Sequence, residues 1–264
     1  MGDANAPISF VPTAKAPKRM FPCGTGSAAE AHTWSEASKP FDVRSKTYVE
    51  DKVKIESGCP LLKLVDADVL LAPSGKSGER IDNMSTKPDS YARYLREQCK
   101  DERRIFVVTF QMHPRYLVLT FVETDRPANE LTEAGALLNQ FFTNAENGGW
   151  TDESCAQRLK LIPRIENFSV PGVNLNRPTI IANKITCAFH RAPGLVEVNV
   201  NVFSSRVTKF ILGYIESAAS KLVVELAFAL EGATAAELPE RTLGTVRLLK
   251  VDLAEETTRI LEEE

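Results

Sequence analysis

A chain of 264 residues, 43% hydrophobic and 25% charged, holds enough apolar material for one large core or two small ones and is too apolar to be disordered throughout. Its formal net charge of −3 leaves no broad cationic footprint for sequence-independent nucleic-acid binding, so that partner class is set aside. Five scattered cysteines (Cys23, Cys59, Cys99, Cys155 and Cys187) imply free thiols in a reducing compartment, which points to an intracellular, cytoplasmic protein rather than a secreted one.

Residues 1–33, rich in Ala, Pro, Gly and Ser, read as a flexible leader with too few large side chains to offset the entropy of ordering. The start Met1-Gly2 resembles a myristoylation signal, but Ala6 stands where Ser or Thr is required. No run of about 20 apolar residues is present for a membrane helix, and the start lacks the apolar region of a secretory signal.

Leu61–Leu71 reads as a strand carrying Asp66 and Asp68 on one face. Pro88 suits the first turn of a helix through Tyr91, Tyr94, Leu95 and Gln98. Ile105–Phe110 and Tyr116–Glu123, joined by His113-Pro114-Arg115, form a hairpin that is apolar on both faces. Such strands belong to a sheet covered on each side, or to one whose inner face lines an apolar cavity.

Leu131, Ala134, Leu138, Phe141 and Phe142 recur at helical spacing until Asn147-Gly148-Gly149 stops them. Strands follow at Arg158–Ile165 and Asn183–His190, and Leu195–Phe203 alternates Val196, Val198, Val200 and Val202 with Glu197, Asn199 and Asn201. A helix capped by Ser204 or Ser205 should bury Val207, Phe210, Ile211, Tyr214, Ile215 and Ala218. Leu222–Leu230 and Thr245–Val251 are the last strands, with a helical turn from Pro239 between them.

The expected fold class is α+β: a largely antiparallel sheet of about eight strands with helices packed on one side. One domain is expected over residues 34–252, followed by an acidic, exposed tail over residues 253–264.

The sequence offers no complete catalytic constellation. Gly75-Lys76-Ser77 resembles the end of a phosphate-binding loop, but Leu70 stands where the first glycine belongs. Cys187 and His190 are an odd number of residues apart, which sends them to opposite strand faces. With only His32 and His113 besides, no zinc set is offered, and no cofactor is implied. Asp66 and Asp68 would suit an acid–base pair, yet nothing nearby completes a site, so salt-bridge or solvated roles are preferred. Arg44, Lys52 and Lys54, beside Tyr48 and Lys46, are candidates for contact with an anion or lipid headgroup, although Asp42, Glu50, Asp51 and Glu56 interleave with them as on an ordinary solvated face.

Several segments resemble, in order and spacing, the C-terminal domain of the plant Enhanced Disease Resistance 2 family. They are Phe41-Asp42-Val43-Arg44 through Tyr48 to Asp51-Lys52-Val53-Lys54, then Lys160-Leu161-Ile162-Pro163, Arg177-Pro178, and Leu195-Val196-Glu197-Val198 running into Ser204-Ser205. Glu237-Leu238-Pro239-Glu240, Leu243-Gly244 and Val246-Arg247-Leu248 complete the set. The resemblance spans about residues 34–252 and departs from the family at Asn199, Asn201 and Glu225, where aspartates are usual. It implies a domain with no established catalysis, found in plants after pleckstrin-homology and START lipid-binding modules.

The expectation that follows is a non-catalytic domain binding a lipid or other hydrophobic small molecule, peripheral to a membrane. Its guest would lie between sheet and helices against Phe106, Val108 and Phe110, anchored by Glu197, Asn199 and Asn201. The alternative is a scaffolding module docking to a protein partner.

Overall fold

In a computed structural model the chain is described over residues 16–17, 19–74, 80–124, 133–166 and 168–261. The first elements are β1 (Thr33–Ser35), β2 (Asp42–Arg44), α1 (Tyr48–Asp51), β3 (Lys54–Glu56) and β4 (Leu62–Leu71). Next come α2 (Tyr91–Glu97), β5 (Ile105–Met112), β6 (Arg115–Glu123), α3 (Glu133–Glu146) and α4 (Asp152–Arg158). Strands β7 (Leu159–Ile165), β8 (Thr179–Ile180), β9 (Thr186–Ala192) and β10 (Leu195–Asn201) follow. The last are α5 (Arg206–Ala218), β11 (Val223–Leu230), β12 (Thr242–Leu249) and β13 (Arg259–Ile260). The Gly75-Lys76-Ser77 turn and Leu131 lie outside the described residues.

The strands build three sheets, which corrects the single sheet of about eight. One has six strands in the order β13-β4-β6-β5-β10-β9, one has five in the order β1-β12-β11-β7-β8, and β2 pairs with β3 alone. Pairing is antiparallel as expected except at β5–β10 and β4–β13, which are parallel. Between β5 and β10 the chain makes the long crossover that parallel neighbours need.

The two large sheets face each other. Val196, Val198 and Val200 point inward to meet Phe106, Val108, Phe121 and Phe228 in the main core, and α3 adds Leu137, Leu138, Phe141 and Phe142. The Phe106 ring lies 6.3 Å from Phe121, 6.3 Å from Phe141 and 6.5 Å from Phe228, so aromatic groups occupy the middle of the sandwich. Each such buried ring contributes about 2–3 kcal/mol through the hydrophobic effect. Gly244 on β12 lets the sheets approach, because a Cβ there would collide with the Phe121 ring.

Helix α2 sits elsewhere, packing Ala92, Tyr94 and Leu95 on the opposite face of the six-stranded sheet against Ile105, Val107, Tyr116 and Val118. Helices therefore cover both faces of that sheet and not one side. The outer face of the five-stranded sheet is covered by Phe41 and Val43 on Ile162, Ala227 and Ala229.

The described residues nearest each terminus pack on the domain. Phe21 is buried in the main core, and the Trp34 indole donates to its carbonyl at 3.1 Å. At the other end β13 extends the six-stranded sheet beside β4, and Leu261 is buried behind it. A few anchoring side chains suffice to offset the ordering of polar stretches, and average composition does not reveal them.

Candidate functional site

The six residues expected to hold a guest do not share one wall. Phe106, Val108 and Phe110 face the packed space between the sheets, whereas Glu197 and Asn199 project from the other side of β10, where period-two alternation sends them. Glu197 accepts hydrogen bonds from the Met84 and Ser85 amides at 2.9 Å each, from the Ser85 hydroxyl at 2.6 Å and from Thr109 at 2.9 Å. It fastens the turn Met84–Thr86 to the sheet. Asn199 is 1% exposed with no hydrogen-bond partner for its amide among the described residues, and Asn201 caps the turn Val202–Ser204 by accepting from the Phe203 amide at 3.1 Å.

Asp66 and Asp68 do share a face, as counter-ions. Arg19 meets Asp66 at 2.9 Å, while Arg259 reaches Asp68 at 2.5 Å and also pairs with Asp89. Burial pushes the Asp66 carboxyl up to about 6, opposed by Arg19 and reinforced by the charge of Asp68. Cys187 and His190 sit opposite different residues of β10, Val200 and Glu197, and burial pushes the Cys187 thiol up to about 12, which makes it inert. Among the described residues no three His, Cys, Asp or Glu side chains are grouped to hold a metal.

A polar cleft of about 580 Å³ opens on the outer side of the five-stranded sheet. One wall is β2, α1 and β3, giving Asp42, Val43, Arg44, Tyr48 and Lys54. The floor is Lys160 and Ile162 of β7 with Glu231 and Glu240, and the other wall is the segment from Arg177 to Lys184.

Five cations and three carboxylates line this cleft, so positive charge is in excess. The floor charges neutralise one another: the Lys160 ammonium lies 2.6 Å from both Glu231 and Glu240, and Arg44 lies 2.5 Å from Glu231. Glu240 is held further by the Gly232 amide at 3.1 Å and the Arg44 amide at 3.2 Å. At the rim, Lys54, Arg177 and Lys184 are exposed and make no ion pair among the described residues.

Arg44 and Lys54 are direct partners across β2 and β3, a like-charge pairing that is unfavourable in a sheet by a few tenths of a kcal/mol to about 1 kcal/mol. Arg44 also stacks 4.8 Å over the Tyr48 ring. Lys52 places its ammonium 5.5 Å from the centroid of the same ring and donates to the Val49 carbonyl, outside the cleft lining.

Of the three headgroup candidates, the cleft thus gathers Arg44 and Lys54. Lys160, Arg177 and Lys184 join them from distant parts of the chain, and only their folding together reveals the site. The available signal was Lys160, a charged residue placed one strand period from the apolar Ile162.

The architecture is that of an α+β domain made of two facing sheets with a cationic cleft on an outer face. The family model for the C-terminal region of Protein ENHANCED DISEASE RESISTANCE 2 matches residues 34–252, and the chain belongs to that family. It is 31% identical over 220 residues to "Protein ENHANCED DISEASE RESISTANCE 2-like" of Arabidopsis thaliana, a match covering 81% of this chain and 28% of that relative. No solved structure matches. Of the segments that resemble the family in sequence, those around Asp42–Arg44, Tyr48, Lys160–Ile162, Arg177-Pro178 and Glu240 line the cleft, while Leu195–Val198, Ser204-Ser205 and Leu243–Leu248 lie elsewhere.

Proposed function

We propose that this is a non-catalytic lipid-binding domain that grips the phosphorylated headgroup of a membrane lipid in the cleft between β2–β3 and the Arg177–Lys184 segment. The guest is recognised from outside, and the acyl chains stay in the bilayer. The observation carrying this reading is the excess of cations around a headgroup-sized volume, with Lys54, Arg177 and Lys184 set against Asp42 alone at its mouth. Arginine and lysine supply the charge-assisted hydrogen bonds that phosphate oxygens accept, and the volume of about 580 Å³ is ordinary for a small-molecule site. No described helix is long and apolar enough to cross a membrane, so attachment through such a headgroup is peripheral.

The test is co-sedimentation with phosphatidylcholine vesicles containing or lacking a phosphoinositide, run beside calorimetry with a soluble inositol phosphate and with inorganic phosphate. The expected result is binding to the phosphoinositide vesicles and to the soluble headgroup, weakened at least tenfold in Lys54→Glu/Arg177→Glu with unchanged circular dichroism. Binding of inorganic phosphate alone, without vesicle capture, would make the ligand a free anion and overturn the lipid reading.

A further inference from the structure

Helix α5 turns out with its apolar stripe facing solvent. Val207 is 61% exposed, Phe210 53% and Tyr214 41%, while Leu212 is the one residue of this helix that is buried. The Phe210 and Tyr214 rings contact each other edge to face at 4.9 Å. They line a shallow open groove with Arg206, Lys209, Gly213 and Ser217, and no acidic side chain borders it. In helical projection the two cations lie side by side along one edge of the strip formed by Phe210, Tyr214 and Val207.

We infer that α5 lies in the surface of an anionic lipid bilayer, with Phe210, Tyr214 and Val207 in the interfacial zone and Arg206 and Lys209 at the headgroups. Charge complementarity selects this occupant: a chain of net charge −3 concentrates two cations and no carboxylate around its exposed aromatic strip. Thirteen helical residues span about 20 Å, enough to lie in the interface.

The helix also begins near the cleft. Lys184 at the rim is two residues before Thr186, whose amide donates to the Ser204 hydroxyl at 2.8 Å, and Arg206 follows two residues later. At no more than about 3.6 Å per residue this places the start of α5 within roughly 20 Å of the cleft rim. The inference deepens the lipid-surface reading by naming the face that meets the bilayer.

The experiment uses phosphatidylcholine vesicles with and without phosphatidylserine, and no phosphoinositide, so that the cleft ligand is absent. The expected result is capture only by the anionic vesicles. Phe210→Ser/Tyr214→Ser should lower the partition coefficient at least tenfold, and Arg206→Gln and Lys209→Gln roughly fivefold each. A Phe210→Trp variant should show blue-shifted emission on anionic vesicles and none on neutral ones.

These substitutions lie on the exposed face, and circular dichroism together with retained binding of the soluble inositol phosphate confirms that fold and cleft are intact. Undiminished capture of the Ser variants would overturn the inference. So would a dimer in solution that Phe210→Ser dissociates, since the strip would then belong to a second copy. Loss of soluble headgroup binding in the cleft variant alone, with serine-dependent capture retained, would separate the two sites.

Discussion

The outer faces of the two large sheets carry similar residues to opposite ends. On the six-stranded sheet Glu197, Asp66 and Asp68 are buried under α2, the turn Met84–Thr86 and the segments carrying Arg19 and Arg259, and each charge is matched to an amide, a hydroxyl or an arginine. On the five-stranded sheet the cover is only the small β2–β3 pair, so the charges around Lys160 remain open to a ligand along one side. Alternation along a strand determines which residues point outward. What covers them determines whether they hold the fold or meet a guest.

The sharpest break of that contrast is Glu197→Ala. It strips the acceptor from two amides and two hydroxyls in a water-poor layer, at a cost of about 4 kcal/mol by the penalty for orphaned buried donors. Chemical denaturation should show this loss without any change in headgroup binding at low denaturant; a loss under about 1 kcal/mol would mean that Glu197 does not hold the Met84–Thr86 turn.

Next is Lys160→Met, which stands on both sides of the comparison as a buried cation in the cleft floor. Removing it leaves Glu240, 1% exposed, facing Glu231 with Arg44 as their remaining cation, a loss of about 3 kcal/mol. Stability and headgroup affinity should fall together. Loss of affinity with unchanged stability would place Lys160 among the ligand contacts rather than in the frame.

A pH experiment resolves the closed face further. The Asp66 carboxyl is pushed up to about 6, above an unfolded value near 3.8, so the folded state binds its proton more tightly. Its contribution to stability therefore grows as pH falls from about 6 to about 4 and vanishes as a trend outside that window, by up to about 3 kcal/mol. Glu225 acts in the reverse sense: burial opposes its charge, but Ser38, Arg247 and Arg164 outweigh it and hold its pKa down, so acid removes that stabilisation below the ordinary glutamate range. Subtracting the stability profile of Asp66→Asn from that of the unaltered chain isolates the first effect. A flat difference between pH 4 and 6 would show that Arg19 and Arg259 hold Asp66 ionised.

These contrasts also show how far the sequence could be read. The period of Val196, Val198 and Val200 fixed the inward face of β10, and the two-faced apolarity of β5 and β6 correctly implied burial on both sides. That same apolarity could not distinguish a second sheet from a cavity, because a side chain packs equally well against protein or guest. In α5 the helical period was legible but the buried face only in part: Ile211, Ile215 and Ala218 are half-buried, whereas Val207, Phe210 and Tyr214 of the expected stripe face solvent and Leu212, outside it, is the buried residue. The cleft was half legible, through Arg44 and Lys54. Arg177 and Lys184 are isolated charges in a polar loop until β8 pairs with β7 and carries that loop to the rim.

The smallest expected effect on stability is the one that best isolates the site. Lys54 is exposed, has no ion pair among the described residues, and stands opposite Arg44, a like charge, so its removal leaves no buried group stranded and relieves a repulsion. Lys54→Ala should therefore change unfolding free energy by less than about 0.5 kcal/mol, with a gain favoured at low salt, where the repulsion is least screened. Headgroup binding should fall severalfold in the same variant, and the difference should shrink as salt is added. If stability fell by more than about 1 kcal/mol, Lys54 would be part of the frame like Lys160, and the open face would be closed in function as well as in structure.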